Sequence, residues 1–128
     1  MNSHLEAAID GFNRGEYFKA AELFEKAAAE AEGAGKTFVV ALNRIAAGLH
    51  LRFERGGRQA AINLFSQAML TLDQLKPSRD GIDVETLMTE LHAYTEEVRA
   101  TSKDEGDGMK HRARLFLERR RAPKIKRA

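Results

Sequence analysis

From residue 5 onward the apolar positions recur at intervals of three and four. Leu5, Ala8, Ile9 and Phe12 form the first such stripe, the spacing that places side chains on one face of a 3.6-residue helix. Ser3 and Glu6 are spaced as a capping box, in which the serine hydroxyl accepts the Glu6 N–H and the glutamate reaches back to Ser3. Gly15 supplies the left-handed conformation that ends a helix at little steric cost, so a second helix returns against the first. Over residues 17–32 the pattern continues through Tyr17, Ala20, Phe24, Ala27, Ala28 and Ala31, and its alanines favour helix while permitting close approach. Gly33-Ala34-Gly35 predicts a break. Residues 37–54 then carry Phe38, Ala41, Leu42, Ile45, Ala46, Leu49 and Phe53, apolar over enough of the circumference to place this helix centrally.

Gly56-Gly57 stops the third helix, and a fourth over residues 58–75 presents Ala61, Leu64, Phe65, Ala68, Met69 and Leu72. Pro77 disfavours helix in the residue before it, so Lys76-Pro77-Ser78-Arg79 is a turn. Asp83 is a suitable N-cap for a fifth helix burying Val84, Leu87, Met88, Leu91 and Val98. Alternation with period two is almost absent through residue 76. The pattern predicts an all-α chain, a compact antiparallel bundle of about five helices over residues 1–100. Residues 101–108 are polar, glycine-rich and acidic, and read as a linker. Beyond them Met109, Ala113, Phe116 and Leu117 make a narrow apolar stripe, a tail helix that forms when something covers it.

Charge sharpens that division. Residues 1–108 carry twelve Lys and Arg against eighteen Asp and Glu, whereas residues 109–128 carry nine against one. Lys110, Arg112, Arg114, Arg119, Arg120, Arg121, Lys124, Lys126 and Arg127, with Phe116 among them, are the expected partner-binding residues. Such a cationic segment attracts nucleic acid, an anionic membrane surface or an acidic protein face, and it could equally fold back on the acidic body. The chain of 128 residues has no cysteine, which removes disulfides and thiolate metal sites. The same lack of cysteine makes a cytoplasmic setting the expectation, and with no 18-residue apolar stretch and no basic-then-apolar leader, neither a membrane span nor a secretion signal is expected.

Candidate chemistry is sparse. His4, His50, His92 and His111 are dispersed, and Ser3, Ser66, Ser78 and Ser102 lack the Gly-x-Ser-x-Gly elbow. Gly35-Lys36-Thr37 ends like a phosphate-binding loop but lacks the first glycine at the required spacing. Glu22 and Glu25, three apart on the second helix, with His50 on the third, are of a type that binds zinc, iron or manganese, or that forms an interior polar cluster. Asn13 beside Gly15 has a local explanation, since an asparagine amide bonds nearby backbone at a helix end.

Two resemblances accompany these residues. The run Gly15-x-Tyr17-x-x-Ala20-x-x-x-Phe24-x-x-Ala27 looks like half of a tetratricopeptide repeat, but the next similar segment, at Gly57, misses the period of about 34 residues and no third follows. More of the chain, residues 5–95, resembles the family called domain of unknown function 309. The resemblance is carried by Phe12, Asn13, Gly15, Tyr17, Phe18, Glu22 and Glu25, then Ala46, Leu49 and His50, Gly56 with Ala60-Ala61, and Gly81-Ile82-Asp83. Ala21 stands where that family carries histidine and Gly57 where it carries asparagine. The resemblance implies a small helical domain and no particular activity. The functional expectation is therefore a non-enzymatic interaction or scaffold module without a cofactor, whose partner is a protein. Its alternatives are nucleic-acid binding through the tail and a metal-binding or hydrolytic enzyme using Glu22, Glu25 and His50.

Overall fold

The structure, a computed structural model, describes residues 3–55, 57–101 and 109–128, with side chains of the last stretch described from residue 113. Its elements are α1 (Ser3–Asn13), α2 (Tyr17–Ala29), α3 (Gly33–Arg55), α4 (Gln59–Asp73), β1 (Ser78–Arg79), β2 (Ile82–Asp83), α5 (Val84–Arg99) and α6 (Met109–Arg120). The chain is an all-α bundle in which each of the first four helices packs on the next and α4 packs on α5. Helix α3 lies centrally, as its apolar breadth requires, between α2 and α4, and buries Phe38, Leu42, Ile45 and Leu49. Asn43 on α3 donates to the Ala21 carbonyl of α2 at 2.8 Å, fixing the register of that pair.

Helix α3 begins at Gly33, not near Thr37. Gly33 alone takes a positive φ of 59°, which leaves Ala34 and Gly35 free to enter the first turn, where N–H groups have no intrahelical partner in any case. Helix α2 correspondingly ends at Ala29, and Ala31 is half-buried beyond it. Glu6, expected to reach back to Ser3, pairs instead with Arg127.

The turn after α4 is a β-hairpin that the helical periodicity did not predict. Ser78 pairs with Asp83 and Arg79 with Ile82, across a two-residue loop in which Asp80 and Gly81 have φ of 50° and 77°. Positive φ at both loop residues is the type I′ geometry, which Asp-Gly favours because its twist matches that of the strands. Ile82 enters the core, and Asp83 caps α5 as expected, its Oδ1 accepting the Thr86 N–H at 2.9 Å and its Oδ2 the Thr86 hydroxyl at 2.6 Å. Those bonds, with a smaller contribution from Lys126, hold the Asp83 carboxyl below its ordinary pKa.

The C-terminal segment departs most from expectation. Residues 109–120 are helical as predicted, but the described part of the apolar stripe is not covered: Ala113, Phe116 and Leu117 are exposed, and among the described side chains of α6 the buried one is Glu118. Beyond α6, Ala122 and Ile125 belong to the same apolar cluster as the bundle interior. The core thus does not stop near residue 100, and the described tail is part of the packed body, because an extended apolar residue and a paired carboxylate find partners there that the stripe does not. The expected linker lies, apart from Thr101, outside the described residues. Thr101 is buried, and its carbonyl accepts from Arg58 at 3.1 Å.

Two expected outcomes follow from this packing. A Cβ on Gly48 would lie 2.6 Å from Cε1 of the fully buried Phe65. Gly48→Ala should therefore lower stability in urea by about 1–2 kcal/mol, overpacking outweighing the gain in helix propensity; unchanged or raised stability would show that α3 and α4 have room to separate. Because Asp83 has a depressed folded pKa, the stability it contributes is present above the unfolded carboxylate value and disappears as pH falls through the folded one. Asp83→Ala should destabilise clearly at pH 7 and progressively less on acidification, as followed by thermal melts across pH 7 to 2.

Candidate functional site

Arg52 occupies the buried face of α3, three residues past Leu49, and Tyr94 occupies the buried face of α5, three past Leu91. Neither is a free choice in an apolar interior, since an ionised guanidinium buried without a partner costs several kcal/mol and a buried phenol hydroxyl needs a hydrogen-bond acceptor. Glu118 of α6 meets both. Arg52 Nε donates to Glu118 Oε1 at 2.8 Å and Nη2 to Oε2 at 3.0 Å, while the Tyr94 hydroxyl donates to Oε1 at 2.6 Å. The Arg52 and Glu118 side chains are 2% and 1% exposed. Burial first, then the adjacent carboxylate, push the Tyr94 phenol far above its ordinary pKa, so it serves only as a donor. This bidentate pair sets the rotation of α6 on the bundle.

With Glu118 turned inward, Arg119 lies along the surface. Its guanidinium carbon stands 5.4 Å from the Tyr17 ring centroid and 5.3 Å from that of Phe53, and its Nη2 donates to the carbonyl of Gly15 in the α1–α2 turn. Tyr17 and Phe53 are themselves stacked, centroids 5.8 Å apart at 27°. Burial raises the Tyr17 pKa, opposed by the Arg119 charge. These three side chains, with Phe18, His50 and Glu54, line a groove of about 420 Å³. A second groove of about 280 Å³ shares Phe53 and Arg119 and adds Leu115 and Phe116. Phe18 tilts against the His50 ring at 5.1 Å and is 59% exposed; Phe116, across Arg119, is 66% exposed. The surface offers stacking and apolar contact, which suits holding a partner's side chains more than moving a proton.

The expected tail residues divide among several roles. Arg121 pairs with Glu97, Lys126 with Glu90 at 2.6 Å and Arg127 with Glu6, while Lys124 Nζ donates to the Asn13 carbonyl at 2.9 Å. The +8 tail has folded back on the acidic body. Arg119 stacks as described; Arg114 and Arg120 are exposed on α6. The side chains of Lys110 and Arg112 lie outside those described. The metal-type trio is not assembled: Glu22 and Glu25 are exposed rather than interior, His50 packs on Phe18, and among the described residues no group of three His, Asp or Glu could hold a metal ion. Helix α2 directs its apolar face inward, which leaves positions 22 and 25 in solvent. No helix among the described residues is long and apolar enough to cross a membrane.

Asn13 is the residue whose role the sequence obscured. Its amide bonds no local backbone; Nδ2 donates to the Ile125 carbonyl and Oδ1 accepts the Ile125 N–H, both at 2.8 Å and 112 positions away in sequence. Arg52 and Glu118 carried signals that periodicity contains: an arginine in line with Leu49 and Ile45, and one acid in a segment of nine bases. Glu118→Gln should lower stability by about 3–5 kcal/mol in urea unfolding, because Arg52 keeps an uncompensated buried charge, whereas the double variant Arg52→Met/Glu118→Leu should recover most of the loss. A loss below about 1 kcal/mol for the single variant would mean that the pair does not hold α6. Comparison of the chain with protein-family models, curated proteins and solved structures found no match, so the resemblances noted above rest on their residues alone.

Proposed function

We propose that the protein is a non-enzymatic interaction module that binds a protein partner through the aromatic groove between α2, α3 and α6. The observation that carries this reading is the pair Phe18 and Phe116, two exposed rings on either side of a floor made by Tyr17, Phe53 and Arg119. Large aromatics left in water beside a shaped groove match the composition of protein–protein interfaces, where Phe, Tyr and Arg are enriched. The rim is mixed in charge, with Glu16, Glu54, Lys19 and His50 around the opening, so an apolar anchor with a polar surround fits it better than a uniformly anionic ligand. A cytoplasmic setting, read from the cysteine-free sequence, belongs to the same proposal.

A second reading, nucleic-acid binding, is favoured by the exposure of Arg120 on α6, one turn from Phe116. Against it, the pairing of Arg121, Lys126 and Arg127 with carboxylates reduces the cations offered to phosphate. An enzyme built on Glu22, Glu25 and His50 has no support from their positions.

The test compares affinity-tagged wild type with Phe18→Ser/Phe116→Ser, both exposed positions whose replacement leaves the core intact. Proteins retained by the wild type after nuclease treatment should fall at least about tenfold with the double variant, the effect of losing two hot-spot side chains. Retention that nuclease abolishes favours the nucleic-acid reading, and retention indifferent to both rings sinks the groove.

A further inference from the structure

Residues 122–128 sit on the bundle in the manner of a bound peptide. Antiparallel to β2, the segment meets the hairpin edge in a single β-bridge: Asp83 N–H donates to the Lys126 carbonyl at 2.8 Å, Ala128 N–H to that of Gly81 at 2.9 Å, and Ile82 bridges Arg127. Asn13 grips both polar groups of Ile125, and Glu90 Oε1 accepts the Lys124 N–H at 3.0 Å. Ile125 is inserted into the core while Lys126 and Arg127 stay exposed. Main-chain bonds along a sheet edge, with an apolar side chain anchored in a pocket, are how strand-adding peptide sites achieve affinity and selectivity. Charge agrees with this arrangement, since Glu6, Glu90 and Glu97 from two helices face Arg121, Lys126 and Arg127.

We propose that this cleft between α1, the hairpin and α5 is a recognition site for an extended basic peptide of another protein, with the chain's own residues 122–128 as its resident occupant. The site is separate from the aromatic groove and goes beyond the reading given above. The contacts of residues 123–127 are made to atoms that any strand of the pattern Pro-Lys-Ile-Lys-Arg presents: its amides and carbonyls, one branched apolar side chain and flanking cations. The occupant's ion pairs lie at the surface, where each is worth about 0–1 kcal/mol. Its advantage over a competitor is tethering, equivalent to an effective concentration on the order of millimolar. A second chain therefore binds when the resident strand is released.

The experiment uses the full chain and an amide-capped, fluorescein-labelled peptide of residues 121–128, followed by anisotropy. Ile125→Asp releases the resident strand and should bind the peptide at least about tenfold more tightly than the wild type. Adding Asn13→Ala to that chain should reverse the gain, and raising salt should weaken binding. Lys126→Glu/Arg127→Glu, which alters only exposed positions, is the second receptor; it keeps the test open if Ile125→Asp loses its helical circular dichroism. Equal binding by wild-type and released chains, indifference to Asn13→Ala, or equal binding of a scrambled peptide of the same charge overturns the proposal, as does the absence of binding to both released chains. Phe18→Ser/Phe116→Ser should leave peptide binding unchanged, so failure here and failure of the aromatic groove are told apart.

Discussion

Burying the Glu118 carboxylate is the act on which the two candidate surfaces depend. Taken out of water alone it would be too costly to keep ionised, and so would the Arg52 guanidinium that awaits it on α3. Together, with the Tyr94 hydroxyl closing the remaining acceptor, they satisfy one another, and among the described residues no buried side-chain polar atom is left without a partner. Such a pair adds little net stability compared with apolar side chains of the same volume, but it has one geometry. It therefore locks a helix with weak apolar attraction for the bundle into one rotation.

Consequences run along the chain in both directions from that residue. Arg119, next in sequence, is brought over Tyr17 and Phe53 and completes the aromatic groove. Phe116 and Leu117 are left facing water. After α6 ends, the chain is delivered to Asn13 and the hairpin in an extended form, so Ile125 can be gripped by its backbone and the three ion pairs can align. Exposed ion pairs of this kind contribute little individually; specificity resides in the main-chain bonds and in one buried isoleucine. The acidic body and basic tail supply attraction without register, and Asn13 with the β2 edge supplies register.

Much of the bundle was legible because helices announce themselves locally. The stripes at Leu5–Phe12, Phe38–Phe53 and Val84–Val98, the αL glycine at position 15 and the Asp83 cap each reflect interactions within a few residues of chain. The hairpin's one local signal is Asp80-Gly81, a pair suited to a type I′ loop, but its strands are two residues long and leave no period to detect. The tail misled for a physical reason. Met109, Ala113, Phe116 and Leu117 form a helical stripe, and burial usually follows such a stripe; here a single buried ion pair outweighs it and turns the helix by its polar side. Likewise Glu22 and Glu25 have a helical spacing suited to a metal and His50 is a ligand type on the next helix, but residue types along two helices say nothing of how those helices are rotated about their axes.

The amino-acid sequence by itself determined the helical class, the order of the first five helices, the Gly15 turn and the Asp83 cap, and the opposition of an acidic body to a basic tail, since all of these depend on neighbours in the chain or on composition. Only the tertiary structure decided that Glu118 meets Arg52 across 66 positions and that Asn13 holds Ile125 across 112. Such pairings arise from how finished helices close on one another, where desolvation of a few polar groups selects one arrangement from many that satisfy the same local pattern.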